Sequence, residues 1–252
     1  MPKVRLEYSI LDPHVHVWVN DPHYPWAKET TDPPHHDATP RMLLQFMKAN
    51  GVARTVLVQY IGYRWDDRYT LDSLKNHEPY FMAVCRVNPV DPAAPDQLSQ
   101  LAERGFHGVR LSPSGDASGD WIKGPLMPPL WKRAESLKIP MQIYAPVTRM
   151  PDLVPLIEQC HGLDVVIDHM ADCPIDQPQE LGKLIALARF PRGVCEDLAH
   201  LVDFPAALSL AGCAGIRAAT LCGLRTRAAD VGNGLARQRK VDHLPEDLVR
   251  GP

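Results

Sequence analysis

The sequence predicts an α/β fold, a (β/α)8 barrel of the TIM type that is incomplete over strands 7 and 8. Three observations lead there. Short apolar runs alternate with helical patterns six times between Tyr8 and Ala188, a period near the ~30 residues that parallel βαβ units need. Those runs are apolar almost throughout, as strands buried on both faces are. Polar residues also recur at their C-terminal ends (His14 and His16, Gln59, Arg86, Arg110, Gln142 and Tyr144, His169), the rim where barrel enzymes build their sites. A doubly wound sheet is the alternative.

The elements follow in order. Tyr8 to Val17 reads as the first strand. Thr39 is placed as an N-cap with Pro40 at the first helical position, and the helix runs to Asn50 before Gly51 closes it. Thr55 to Gln59 is a β-branched second strand, and Arg68 to Asn76 is helical. Tyr80 to Val87 is the third strand, followed by a helix over Ala94 to Arg104 that Gly105 ends. His107 to Leu111, Pro140 to Tyr144 and Asp164 to His169 are strands four to six. Helices over Pro129 to Leu137, Pro151 to Cys160 and Pro178 to Ala188 follow them.

Composition narrows the class. The 252 residues are 45% hydrophobic, enough for a real core, and the net charge of -3 comes without a basic run. That argues against a nucleic-acid partner. Six cysteines occur with no CxxC pair, which suits reduced thiols in a cytoplasmic protein. MPKVRLEYSILDPHVHVW contains no apolar run long enough for a signal peptide, and no segment approaches a membrane span.

Two motifs carry the chemistry. In Asp12-Pro13-His14-Val15-His16-Val17-Trp18 the two histidines share a face if the chain is extended, since side chains there alternate with period two. Ile167-Asp168-His169-Met170 places a third histidine at the end of the sixth strand. Three neutral imidazoles can hold Zn or Mn through nitrogen. Equally, they can bind a substrate carboxylate or orient water without metal. Weaker candidates are the loop histidines His23, His35 and His36, the segment Tyr63 to Arg68, and Trp121 with Lys123 as a lid.

DPHVHVW at residues 12–18, Tyr24-Pro25-Trp26, GVRLSP at 108–113 and IDHM at 167–170 together resemble the lactonase-like amidohydrolase family. The similarity covers residues 8 to about 192. It implies a small-molecule substrate, a lactone or small carboxylic acid, hydrolysed by activated water. It implies catalytic and metal-binding roles for His14, His16 and His169, with or without one divalent ion. It also implies substrate contacts from Arg110, read as a guanidinium clamp for planar oxygens, and from Tyr144. Where the pyrone-dicarboxylate lactonases carry an arginine three residues after the last histidine, this chain has Asp172. A doubly acidic pyrone is therefore a poor substrate guess. A metal-dependent decarboxylase or deaminase on the same barrel, or an inactive barrel remnant, are the competing readings.

The family's general base is an aspartate in a G-[ST]-D-W-P-like segment after strand eight, and no such segment occurs here. After Phe190 the only aromatic residue is Phe204, and the tail is rich in Ala, Gly and Arg. Codons permitted for Cys195 to Leu210, read one base later, can spell VKISHTWSISRQPYP. Those for Leu224 to Lys240 can spell YGPERLMWATDWPVSE, with the aspartate codon straddling Gly234 and Leu235. Two bases of each shifted codon are nearly fixed by the protein. The expectation is a native barrel segment over residues 1–192, a frameshifted tail over 193–252, and a chain that as written folds poorly or is inactive.

Overall fold

The computed structural model describes residues 10–112, 120–174 and 176–195. The described residues divide into two compact units, 10–84 and 85–195.

In the first unit, β1 (Ile10–Val15), β2 (Val52–Val58) and β3 (Phe81–Arg86) are parallel neighbours. They are joined through α1 (Pro40–Asn50) and α2 (Arg68–Asn76). The first helix starts as its sequence dictates. Thr39 Oγ1 accepts from Met42 N at 3.3 Å, Pro40 occupies the first turn where its missing N–H costs nothing, and Gly51 closes the helix at φ 70°. Its inner face buries Pro40, Leu44 and Met47. The first strand ends at Val15, two residues before the reading of Tyr8 to Val17, and Tyr8 and Ser9 lie outside the described residues. Its pairing with β2 shifts register between Asp12 and Val15, around Pro13, which has no N–H for the ladder.

The second unit holds the end of β3, then β4 (Gly108–Leu111), β5 (Met141–Ile143), β6 (Val165–Ile167) and β7 (Gly193–Cys195). They alternate with α3 (Ala94–Glu103), α4 (Met127–Leu137), α5 (Met150–Gln159) and α6 (Leu181–Ile185). Neighbouring strands pair in parallel and in chain order, β1–β2–β3 in the first unit and β4–β5–β6–β7 in the second. The core is conventional for such a unit: α4 buries Met127, Leu130, Trp131 and Ala134 at helical spacing, and α5 buries Met150, Leu153, Leu156 and Ile157.

Three local differences from the sequence reading have physical causes. A seventh strand, β7, pairs in parallel with β6 where six had been read; its three residues are too few for an apolar pattern to show. The sixth strand stops at Ile167, because the chain turns tightly over Asp168 to Asp172 with left-handed backbone from His169 on. The sixth helix is three pieces, turns at Pro178–Glu180 and Ala186–Arg189 flanking α6, with Gly182 weakening the middle. Residues 196–252, which include most of the tail read as foreign, lie outside the described residues. Among the described residues no helix is long and apolar enough to cross a membrane.

Candidate active site

In the first unit the histidine pair meets as its spacing predicts. His14 Nε2 and His16 Nε2 are 3.3 Å apart, with the rings edge to face. The main chain under them is fixed locally. Asp12 Oδ1 accepts from the His14 N–H at 3.2 Å, and Thr55 Oγ1 donates to the Asp12 carbonyl at 2.9 Å.

His16 Nδ1 lies 2.7 Å from the Val58 carbonyl oxygen at the end of β2. A carbonyl only accepts, so Nδ1 carries the proton and Nε2 presents its lone pair. A second-shell bond of this kind orients metal-binding histidines. Two nitrogens on arms of about 2.05 Å at a tetrahedral angle stand about 3.3–3.4 Å apart, so the observed separation suits one shared ion. It also suits a His14 N–H donated to His16 when no ion is present.

Aromatic side chains back this pair. The Tyr60 ring lies 5.7 Å from the His16 ring and 4.9 Å from that of Trp18, and Trp26 stacks on Tyr63 at 4.6 Å. Gly62 makes room for them: a Cβ there would stand 2.7 Å from the Tyr60 ring and 3.0 Å from Trp26. Its carbonyl accepts from Ala27 N and from Thr30 Oγ1, which ties the loop after β1 to the turn after β2. Tyr63 is held by Val19, accepting from its N–H and donating to its carbonyl, and burial pushes its phenol up to about 12. Tyr60 and Trp18 were not singled out from sequence; their neighbourhood in the QYIGY and HVHVW segments was the available signal.

In the second unit the predicted residues also meet. Arg110 Nε donates to Asp168 Oδ2 at 2.7 Å, and both side chains are buried. The Arg110 guanidinium carbon lies 5.2 Å from the centre of the Tyr144 ring, and that ring meets His169 edge to face at 5.3 Å. The Tyr144 hydroxyl bonds to Asp172, which together with burial raises its pKa, while Arg110 partly opposes the rise. Asp168 is fully buried, and its Oδ1 has no hydrogen-bond partner among the described residues. A carboxylate oxygen of Asp168 lies within 4.8 Å of a ring nitrogen of His169.

Asp168 was missed as a site residue. The signal was present: an acid closing the otherwise apolar run VVID, in a chain whose fourth strand carries a lone arginine. His169 itself sits outside the strand that was read for it. His169, Met170, Ala171 and Asp172 all have φ between 46 and 56°. Left-handed backbone costs L residues roughly 1–2 kcal/mol each, so packing and the Asp168 and Asp172 contacts hold the turn.

The weaker candidates have ordinary surroundings. His35 and His36 are exposed, and His23 packs on Tyr24. Asp66 pairs with Arg68 at 2.6 Å. Trp121 is buried, and Lys123 pairs with Asp152 at 2.9 Å.

The amidohydrolase family model matches residues 11–221. An L-fucono-1,5-lactonase from Burkholderia ambifaria is 29% identical over 168 residues, 66% of this chain and 58% of that protein, so the chain spans under two thirds of that relative. A Pseudomonas putida structure described as a 2-pyrone-4,6-dicarboxylic acid hydrolase aligns with a TM-score of 0.62 and 26% identity, over 88% of this chain and 79% of that one. A zinc-bound amidohydrolase from Burkholderia multivorans gives 0.61 at 17% identity, over 86% and 80%. A TIM-barrel protein from Bordetella bronchiseptica gives 0.56 at 17%, over 65% and 61%. The fold is of the TIM-barrel type, and its described part ends at β7. By its match to the family model over most of its length, this chain belongs to the amidohydrolase family.

Proposed function

We propose that the protein is a hydrolase that opens a lactone or ester ring with activated water, and that His14, His16 and His169 are its catalytic histidines. The carrying observation is the 3.3 Å His14–His16 pair with the His16 tautomer fixed by Val58. In this reading His14, His16 and His169 are the ligands of one divalent ion such as Zn or Mn, which the 3.3 Å His14–His16 separation suits and which when bound would polarise the carbonyl or the water. Arg110 and Tyr144 contact the substrate. Since Asp168 already neutralises Arg110, the guanidinium acts as a hydrogen-bond donor in a neutral pair, without surplus positive charge. The substrate is a small molecule.

The base that takes the proton from water belongs to the missing strand-eight segment. Residues 193–252 are, in this reading, the out-of-frame translation of that part of the barrel. The absent G-[ST]-D-W-P-like segment supports it, and makes the chain as written a remnant without turnover.

The test compares two proteins: the 252-residue chain, and the chain from a gene shifted by one base between the codons for Arg192 and Cys195. Proton release is followed with sugar 1,5-lactones and a muconolactone, with and without Zn or Mn. The restored chain should hydrolyse at least one lactone, the given chain none, and His16→Ala in the restored chain should lose about 100-fold or more. Release of carbon dioxide or ammonia without lactone opening would replace this reading with the decarboxylase or deaminase alternative.

A further inference from the structure

The carbonyl that sets the His16 tautomer is itself held, by a buried side chain that the reaction above does not touch. Val58 closes β2, and the peptide group joining Val58 to Gln59 is engaged at both ends. Its oxygen lies 2.7 Å from His16 Nδ1. Its N–H donates to the Val84 carbonyl of β3 at 2.9 Å. Imidazole, peptide and neighbouring strand thus form one line of hydrogen bonds, and a rotation of that peptide breaks both bonds together.

The Gln59 side chain anchors the same residue from the other side, and it is fully buried. Its Nε2 donates to the Asp66 carbonyl at 2.8 Å, and its Oε1 accepts from the Thr70 hydroxyl in the first turn of α2. A carbonyl only accepts, so the amide nitrogen must face Asp66 and the amide oxygen must face Thr70. Gln59 therefore joins β2 to β3, to the turn after β2 and to α2. The other buried hydroxyls on these elements work elsewhere: Thr55 donates to the Asp12 carbonyl, and Ser73 to the Tyr69 carbonyl of its own helix. The residue after Gln59 is Tyr60, whose ring lies 5.7 Å from that of His16. One anchor thus places both the acceptor for His16 and an aromatic wall beside it.

We infer that Gln59, held by Thr70 and the Asp66 carbonyl, is a positioning residue. It fixes the Val58 carbonyl, through it the Nδ1–H tautomer of His16, and so the Nε2 lone pair offered to a divalent ion. The inference rests on the reading of His16 as a metal ligand.

Its test uses the full 252-residue chain and two readouts. Long-range proton–nitrogen NMR correlations of the His16 imidazole, with no metal present, report the tautomer. Calorimetry with Zn alone reports the affinity. Gln59→Met and Thr70→Val keep side-chain size and remove the hydrogen bonds. The unaltered chain should show the proton on Nδ1 only. Gln59→Met should mix the two tautomers and weaken Zn about 10-fold, the low end of what the loss of a metal ligand's hydrogen-bonded support costs. Thr70→Val should act in the same direction and less, and Thr70→Ser, which keeps the hydroxyl, should restore both readouts. Thr39→Ala weakens the same unit at its first helix and should move neither. Lowered thermal midpoints in Gln59→Met and Thr70→Val, with a single tautomer and Zn affinity within about twofold, overturn the inference, since Gln59 then only supports the fold. If Gln59→Met does not fold, Thr70→Val against Thr70→Ser decides by the same two readouts. Zn affinity unchanged in His16→Ala overturns the metal-ligand reading instead, while mixed tautomers in the metal-free Gln59→Met chain still uphold the hold of Gln59 on the ring.

Discussion

Gly62 shows how little freedom single residues have around the histidine pair. Any side chain there collides with the rings of Tyr60 and Trp26. Gly62→Ala should destabilise the protein by about 1–3 kcal/mol, the usual cost of overpacking, as read from urea unfolding followed by tryptophan fluorescence. An unchanged midpoint would mean that the rings are loosely held. Asp168→Asn strands the buried Arg110 guanidinium, and breaking a buried pair costs about 3–5 kcal/mol. A loss under about 1 kcal/mol would show that the pair is wetter than its burial implies. Tyr63 sets an alkaline limit. Its phenol ionises near 10 when unfolded and at about 12 when folded. The folded state therefore binds the proton more tightly, and that contribution, roughly 2–3 kcal/mol, is whole below pH 10 and disappears between pH 10 and 12. Tyr63→Phe should flatten the fall in thermal midpoint over that window.

Elements start and stop here through caps that can be tested one by one. Thr39→Ala removes the side chain that accepts from Met42 N, and should cost about 1 kcal/mol. Lys138 ends α4 in left-handed backbone at φ 55° and is exposed. Lys138→Gly should therefore stabilise, by about 0.5–1 kcal/mol, because glycine enters that conformation without steric cost. A lower thermal midpoint for that variant would contradict the cap assignment. Helices with strong local punctuation were legible: α1 and α2 match their readings to the residue, since Thr39, Pro40 and Gly51 are local signals. The sixth unit was not. IDHM reads as the continuation of an apolar strand, whereas packing and the contacts of Arg110 with Asp168 and of Tyr144 with Asp172 hold that backbone left-handed.

For the whole molecule, the sequence by itself determined the α/β alternation, the chain-order strand arrangement, the family, and which three histidines to watch. These follow from local periodicity and from short motifs, which survive translation whatever happens downstream. It also showed the change of composition after Phe190, on which the frameshift proposal rests. Tertiary structure decided the rest. It fixed the His16 tautomer through a carbonyl 42 residues away. It converted Arg110 from a free cation into half of a buried pair, with an acid 58 residues distant. Those are long-range pairings, set by which strand ends become neighbours in the sheet, and no local pattern of residues encodes them.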